Sequence, residues 1–173
     1  MAKRLNAAVC KTANHRFESD HDLNILRRNN MKVVINKCHG GFGLSNEALA
    51  AWAKLKGREC YFYEGGLGRN EYILVGVDSK DKGLFACAFD SLIPVDMNTD
   101  SKEFNEWYSE HQIGGWSLDR EDPDLVSVVE ELGDAASGRY SHLAVVEIPD
   151  GVAYTIEEYD GLEHIAETHR TWG

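Results

Sequence analysis

The run Met31-Lys32-Val33-Val34-Ile35-Asn36-Lys37-Cys38-His39-Gly40-Gly41-Phe42-Gly43-Leu44-Ser45 constrains the fold of this chain more than any other segment. Residues 32–36 form a short continuous apolar stretch, the pattern of a strand buried on both faces. Three glycines within four residues then turn the chain. Ser45 supplies a helix N-cap, and Glu47 suits the positive end of the helix that follows. Leu49, Trp52, Ala53 and Leu55 keep the helical period. Lys54 and Lys56 favour its C-terminal end, and Gly57 is a natural stop. A second strand over 59–64 completes a β–α–β unit, which predicts a parallel strand pair joined by a right-handed crossover.

Downstream, residues 72–77 and 84–89 read as two strands of a hairpin around a polar turn at 78–83, after a flexible glycine loop at 65–70. A helix is expected over 102–111. A cleaner one follows over 122–132, capped by Asp122, with Pro123 at its first position and Leu125, Val128, Val129 and Leu132 as its core-facing stripe. Strands over 142–148 and 152–157 flank a tight turn at Pro149-Asp150-Gly151, and a short final helix is expected over 162–169. The whole predicts an α/β fold: a single domain over 31–173 with a mixed sheet of about five or six strands, helices packed on it, and an opening β–α–β unit. Residues 1–30 are more basic and weakly periodic, and read as an N-terminal extension.

Charge narrows the partners. The 173-residue chain carries a net charge of −11. Residues 119–173 hold fourteen acids against Arg120, Arg139 and Arg170, so this third alone carries −11. Such a field repels phosphate backbones, which argues against direct nucleic-acid binding, and it attracts a basic protein surface. Glu157, Glu158, Asp160 and Glu163 are the candidate partner-binding residues. No apolar run approaches the ~18 residues that span a bilayer, and residues 1–30 lack a secretory core. The expected location is the cytoplasm, with no membrane partner. Cys10, Cys38, Cys60 and Cys87 show no CxxC pairing, so neither a zinc ribbon nor a disulfide framework is expected.

Chemistry, if any, gathers at 36–45. A glycine-rich loop running into a helix N-terminus can cradle a phosphate. Lys37, Cys38, Gly40, Gly41, Gly43 and Ser45 are the candidate ligand-binding residues, with Arg139 and Arg170 as distant additions suited to an anionic group. The loop matches neither GxxxxGK[ST] nor GxGxxG. The competing use of its glycines is a tight turn with Phe42 plugging the core. Cys38 is a weak nucleophile candidate, because adjacent His39 points to the opposite face of a strand. His164, Glu167 and His169 do not converge on one regular helix, so no metal site and no cofactor is expected. No catalytic residue is assigned.

Gly-Gly-Phe-Gly-Leu-Ser at 40–45, Asp-Pro-Asp-Leu-Val-Ser-Val-Val-Glu-Glu-Leu-Gly at 122–133, Val-Val-Glu-Ile-Pro-Asp at 145–150, and Ile-Glu-Glu-Tyr-Asp-Gly through His-Arg-Thr-Trp at 169–172 resemble a family of short uncharacterised proteins of tailed bacteriophages and prophages. The likeness spans 31–173. It implies an accessory phage product acting in the bacterial host cytoplasm, of the kind that modulates the host or blunts its defences. It carries over no catalytic residue. The leading expectation is a non-enzymatic protein that binds a basic host component through its acidic surface. The alternative is a protein that binds or processes a nucleotide or other phosphate compound at the glycine-rich loop.

Overall fold

The computed structural model describes residues 30–65, 72–79, 86–114 and 118–169. Residues 1–29 of the expected extension at 1–30, most of the glycine loop at 65–70, the far part of the polar turn at 78–83, Cys10 and Arg170 lie outside the described residues, while Asn30 already belongs to the first strand.

The protein is α/β, and it opens strand–helix–strand as expected. Strand β1 (Asn30–Asn36) leads through the glycine turn to helix α1 (Asn46–Leu55) and then β2 (Tyr61–Gly65). Ser45 caps α1: its side chain accepts from the Ala48 N–H, while Gly57 leaves the helix at φ +67°. The pairing differs from the expectation. β1 and β2 are not neighbours, and every ladder among the described residues is antiparallel. β1 pairs with β6 (Leu143–Pro149), from Asn30 opposite Pro149 to Asn36 opposite Leu143. β2 lies between β3 (Tyr72–Val75) and β4 (Ala86–Phe89), and β4 carries the two-residue β5 (Gln112–Ile113). The two strands expected to form a hairpin therefore flank β2 on opposite edges. Central β2 offers each a full ladder, which direct pairing would forgo.

Alternation gives the four-stranded sheet two working faces. Phe62, Val75, Ala88 and Ile113 face the main core, shared with Val34, Phe42 and the buried sides of α1 and α3 (Pro123–Leu132). Tyr72 and Phe89 meet Phe104, Trp107 and Tyr108 of helix α2 (Lys102–His111) at ring separations of 4.9–5.2 Å, and Tyr63 packs on Phe89 at 5.8 Å. Cys60 and Cys87 are half-buried in this sheet. Burial pushes both thiols up to about 11, so they stay protonated at neutral pH.

A third sheet replaces the expected final helix: β7 (Tyr154–Tyr159) and β8 (Leu162–Glu167) pair in full register around Asp160-Gly161. Both turn residues have positive φ, +51° and +84°. Asp-Gly after the run Tyr154-Thr155-Ile156, rich in aromatic and β-branched residues, favours this two-residue hairpin turn. It outweighs the helical spacing of Leu162, Ile165 and Ala166, because a helix of one or two turns has little cooperativity of its own.

Helix α3 follows the sequence closely. Asp122 accepts from the Asp124 N–H at 3.1 Å, Trp52 Nε1 at 2.7 Å and Lys56 Nζ at 2.7 Å. Burial alone would raise its pKa, but Lys56 and Trp52 hold the carboxyl below its ordinary value. Asp90 is likewise held low: the cost of burial is outweighed by Arg58 at 2.6 Å and His111 at 2.8 Å. A depressed folded-state pKa stabilises at pH values above the unfolded carboxyl's and loses that contribution as pH falls through the folded value. Urea midpoints are therefore expected to hold from pH 7 to 5 and to drop below about pH 4. Asp122→Asn should flatten that acid limb.

Candidate functional site

The glycine turn is used for packing. A Cβ on Gly40 would lie 1.6 Å from the Tyr140 carbonyl oxygen, and one on Gly161 would lie 2.5 Å from the Gly41 nitrogen. The Gly43 carbonyl accepts from the Gly138 N–H at 2.9 Å and from Ser141 Oγ. Gly41 holds φ +89°. The loop is thus pressed between the 138–141 turn and the tip of the β7–β8 hairpin. Phe42 is buried in the core, as the packing reading of the loop expects.

Under the loop lies a buried polar junction that the sequence did not reveal. Asn36 is fully buried. Its Nδ2 donates to the Cys38 and Gly161 carbonyls, both at 2.6 Å, and its Oδ1 accepts from the His142 N–H at 2.8 Å. Its own N–H donates to Glu163 Oε2 at 2.7 Å. Glu163 is only 5% exposed, and Arg120 bridges both its oxygens, at 3.4 and 3.2 Å. The Arg120 guanidinium also stacks on Phe42, its Cζ 3.1 Å from the ring centroid. Burial draws the Arg120 pKa below its ordinary value, and Glu163 opposes that shift.

The same residues close the free edge of β1. The Val34 N–H donates to the Arg120 carbonyl, the Arg120 guanidinium donates back to the Val34 carbonyl, and the Asn36 N–H is taken by Glu163. An arginine and a glutamate stand where a third strand would pair.

The remaining sequence candidates divide. Lys37 is exposed, and its N–H belongs to the β1–β6 ladder end at the His142 carbonyl. The Cys38 thiol donates to Asn36 Oδ1 at 3.4 Å and the Tyr140 carbonyl at 3.3 Å, and no histidine side chain is among these partners. Ser45 and Arg139, ninety-four positions apart by their numbers, do meet. With Asn46, Glu47, Asp78, Ser79 and Ser137 they line an open cleft of about 570 Å³ at the start of α1. Its hydroxyls are committed within the fold: Ser45 Oγ donates to the Ala135 carbonyl, Ser79 Oγ to Glu64, and Ser137 Oγ accepts from the Leu143 N–H. Gly40 and Gly41 lie away from this lining.

Of the four acidic candidates, Glu163 is not on the surface. Its carboxylate is consumed by Arg120 and Asn36. Glu157, Glu158 and Asp160 are exposed on the hairpin, around Tyr159, which is 77% exposed. Glu157 pairs with His164 at 3.0 Å across the strands, and Glu158 accepts from the Gly161 N–H. His164 lies on a strand and not on a helix, and no group of three or more metal-ligating side chains occurs among the described residues. No helix among the described residues is long and apolar enough to cross a membrane. Comparison of the chain with protein-family models, with curated proteins and with solved structures gives no match.

Proposed function

We propose that this protein acts by binding, without catalysis, a basic partner through the exposed acidic side of its last third. The observation that carries the reading is the division of labour among its acids. Asp122 and Glu163 are spent on internal contacts, and Glu130 pairs with Lys32. Glu157, Glu158 and Asp160 lie exposed on one hairpin around a solvent-facing tyrosine, Glu157 and Glu158 engaged only by His164 and the Gly161 N–H of the hairpin itself. A tyrosine among carboxylates suits an interface, since the ring contributes contact area at low entropic cost and the charges steer a cationic surface. The resemblance to tailed-phage accessory proteins supports a host component as that partner, in the bacterial cytoplasm.

The test is capture from bacterial lysate at low and high salt, beside a Glu157→Lys/Glu158→Lys/Asp160→Lys variant. A partner held at low salt, released as the Debye length falls from ~30 Å at 0.01 M to ~8 Å at 0.15 M, and lost by the variant is the expected result. Equal retention by the variant would overturn the reading.

A second reading rests on the cleft, which brings Ser45 and Arg139 to one helix start. Its size falls within the ~300–1,000 Å³ of small-molecule sites, and it would take a nucleotide or other phosphate compound. A ligand at tenfold excess over its dissociation constant stabilises by about 1.4 kcal/mol. Thermal-shift screening with such compounds checks it, and Arg139→Ala should remove any shift found.

A further inference from the structure

We infer that the β7–β8 hairpin is a docked arm, held to the body by the Glu163–Arg120–Asn36 junction and released from it as a unit. The hairpin's role in presenting the acidic face rests on the function proposed above; its attachment does not.

Three observations carry the inference. First, among the described residues none of the hairpin's apolar side chains belongs to the main core cluster, although every other long strand contributes to it or packs against it. Second, among the described residues its strands pair only with each other. Third, the contacts that fix it are polar and concentrated: Glu163 to Arg120 and to the Asn36 N–H, the Gly161 carbonyl to Asn36 Nδ2, and the close seat of Gly161 on Gly41. The Tyr154 hydroxyl on Glu121 adds an exposed tie at the open end.

A contact made by area weakens gradually as a surface slides, whereas a buried ion pair with directional hydrogen bonds is either made or broken. Once free, an isolated two-stranded hairpin is marginal in water. Release therefore exposes its cross-strand amides together, while α1, α3 and the β1–β6 ladder stay folded. This is a local unit of opening below the global one.

Hydrogen exchange on the intact chain reads this directly. In the unaltered protein at low urea, amides of Tyr154–Glu167 should exchange through an opening that urea barely accelerates, while those of α1 and α3 follow the steep denaturant dependence of global unfolding. Glu163→Gln should speed exchange across the hairpin at least tenfold at low urea, while the α1 and α3 amides keep the steep denaturant dependence of global unfolding. Glu130→Gln, the same charge loss at an exposed site, should leave the hairpin as it was. One shared denaturant dependence for hairpin and helices overturns the inference. So does an unchanged hairpin in Glu163→Gln, or equal acceleration in Glu130→Gln. Should Glu163→Gln fail to fold, the unaltered protein alone decides. No partner enters the measurement, so failure of the arm is distinguishable from failure of the proposed function.

Discussion

Phe42→Ala should lower the unfolding free energy by about 3–5 kcal/mol, the range for emptying a buried aromatic site. Phe42 is 8% exposed, sits in the main core beside the glycine turn, and is the surface on which the Arg120 guanidinium rests. Its removal leaves a cavity and takes away the ring face beneath a buried cation. Urea denaturation followed by Trp fluorescence gives the number. Phe42→Leu should recover part of the loss, since it refills volume without restoring the cation–π contact. A loss below about 1 kcal/mol for Phe42→Ala would show that this side chain does not fasten the turn to the core.

Gly40→Ala is the second large effect, at about 3 kcal/mol or more. No rotamer relieves a Cβ placed 1.6 Å from a backbone oxygen, so the 138–141 turn must move. Gly43 is the internal control. A Cβ there meets nothing within 4 Å, and no positive φ is recorded for it. Gly43→Ala should stay within about 0.5 kcal/mol of the unaltered protein. An anion-cradling loop would instead tolerate both changes in the absence of ligand and show its loss only in binding. The pair of variants therefore separates packing from recognition at a motif whose composition suits either.

What was legible in the sequence was local. Ser45 and Asp122 announce their helices because a cap acts within three residues of itself, and both helices begin where those caps place them. The fully buried stretch Val33-Val34-Ile35 also read correctly as a strand without a solvent face. Strand partners were not legible. The apolar run at 32–36 suits a parallel neighbour or, as found, an antiparallel one whose other side is covered. Asp160-Gly161 did carry a hairpin signal, but the spacing of Leu162, Ile165 and Ala166 masked it. At the site, Ser45 and Arg139 do share a cleft, while the junction of Asn36, Arg120 and Glu163 was out of reach. Its members lie 127 and 43 positions apart, and each alone looks like an ordinary polar residue.

The closure of β1 by side chains, and not by another strand, has a consequence for handling this protein in the crowded cell. Exposed strand edges recruit copies of themselves and grow into aggregates. Here the Arg120 carbonyl, the Arg120 guanidinium and the Glu163 carboxylate guard that edge together. Whatever draws Glu163 away from Arg120 bares the Asn36 N–H, while the Val34 N–H stays on the Arg120 carbonyl. One bared amide is a short template, and the Arg120 main chain still bars another strand from pairing along that edge.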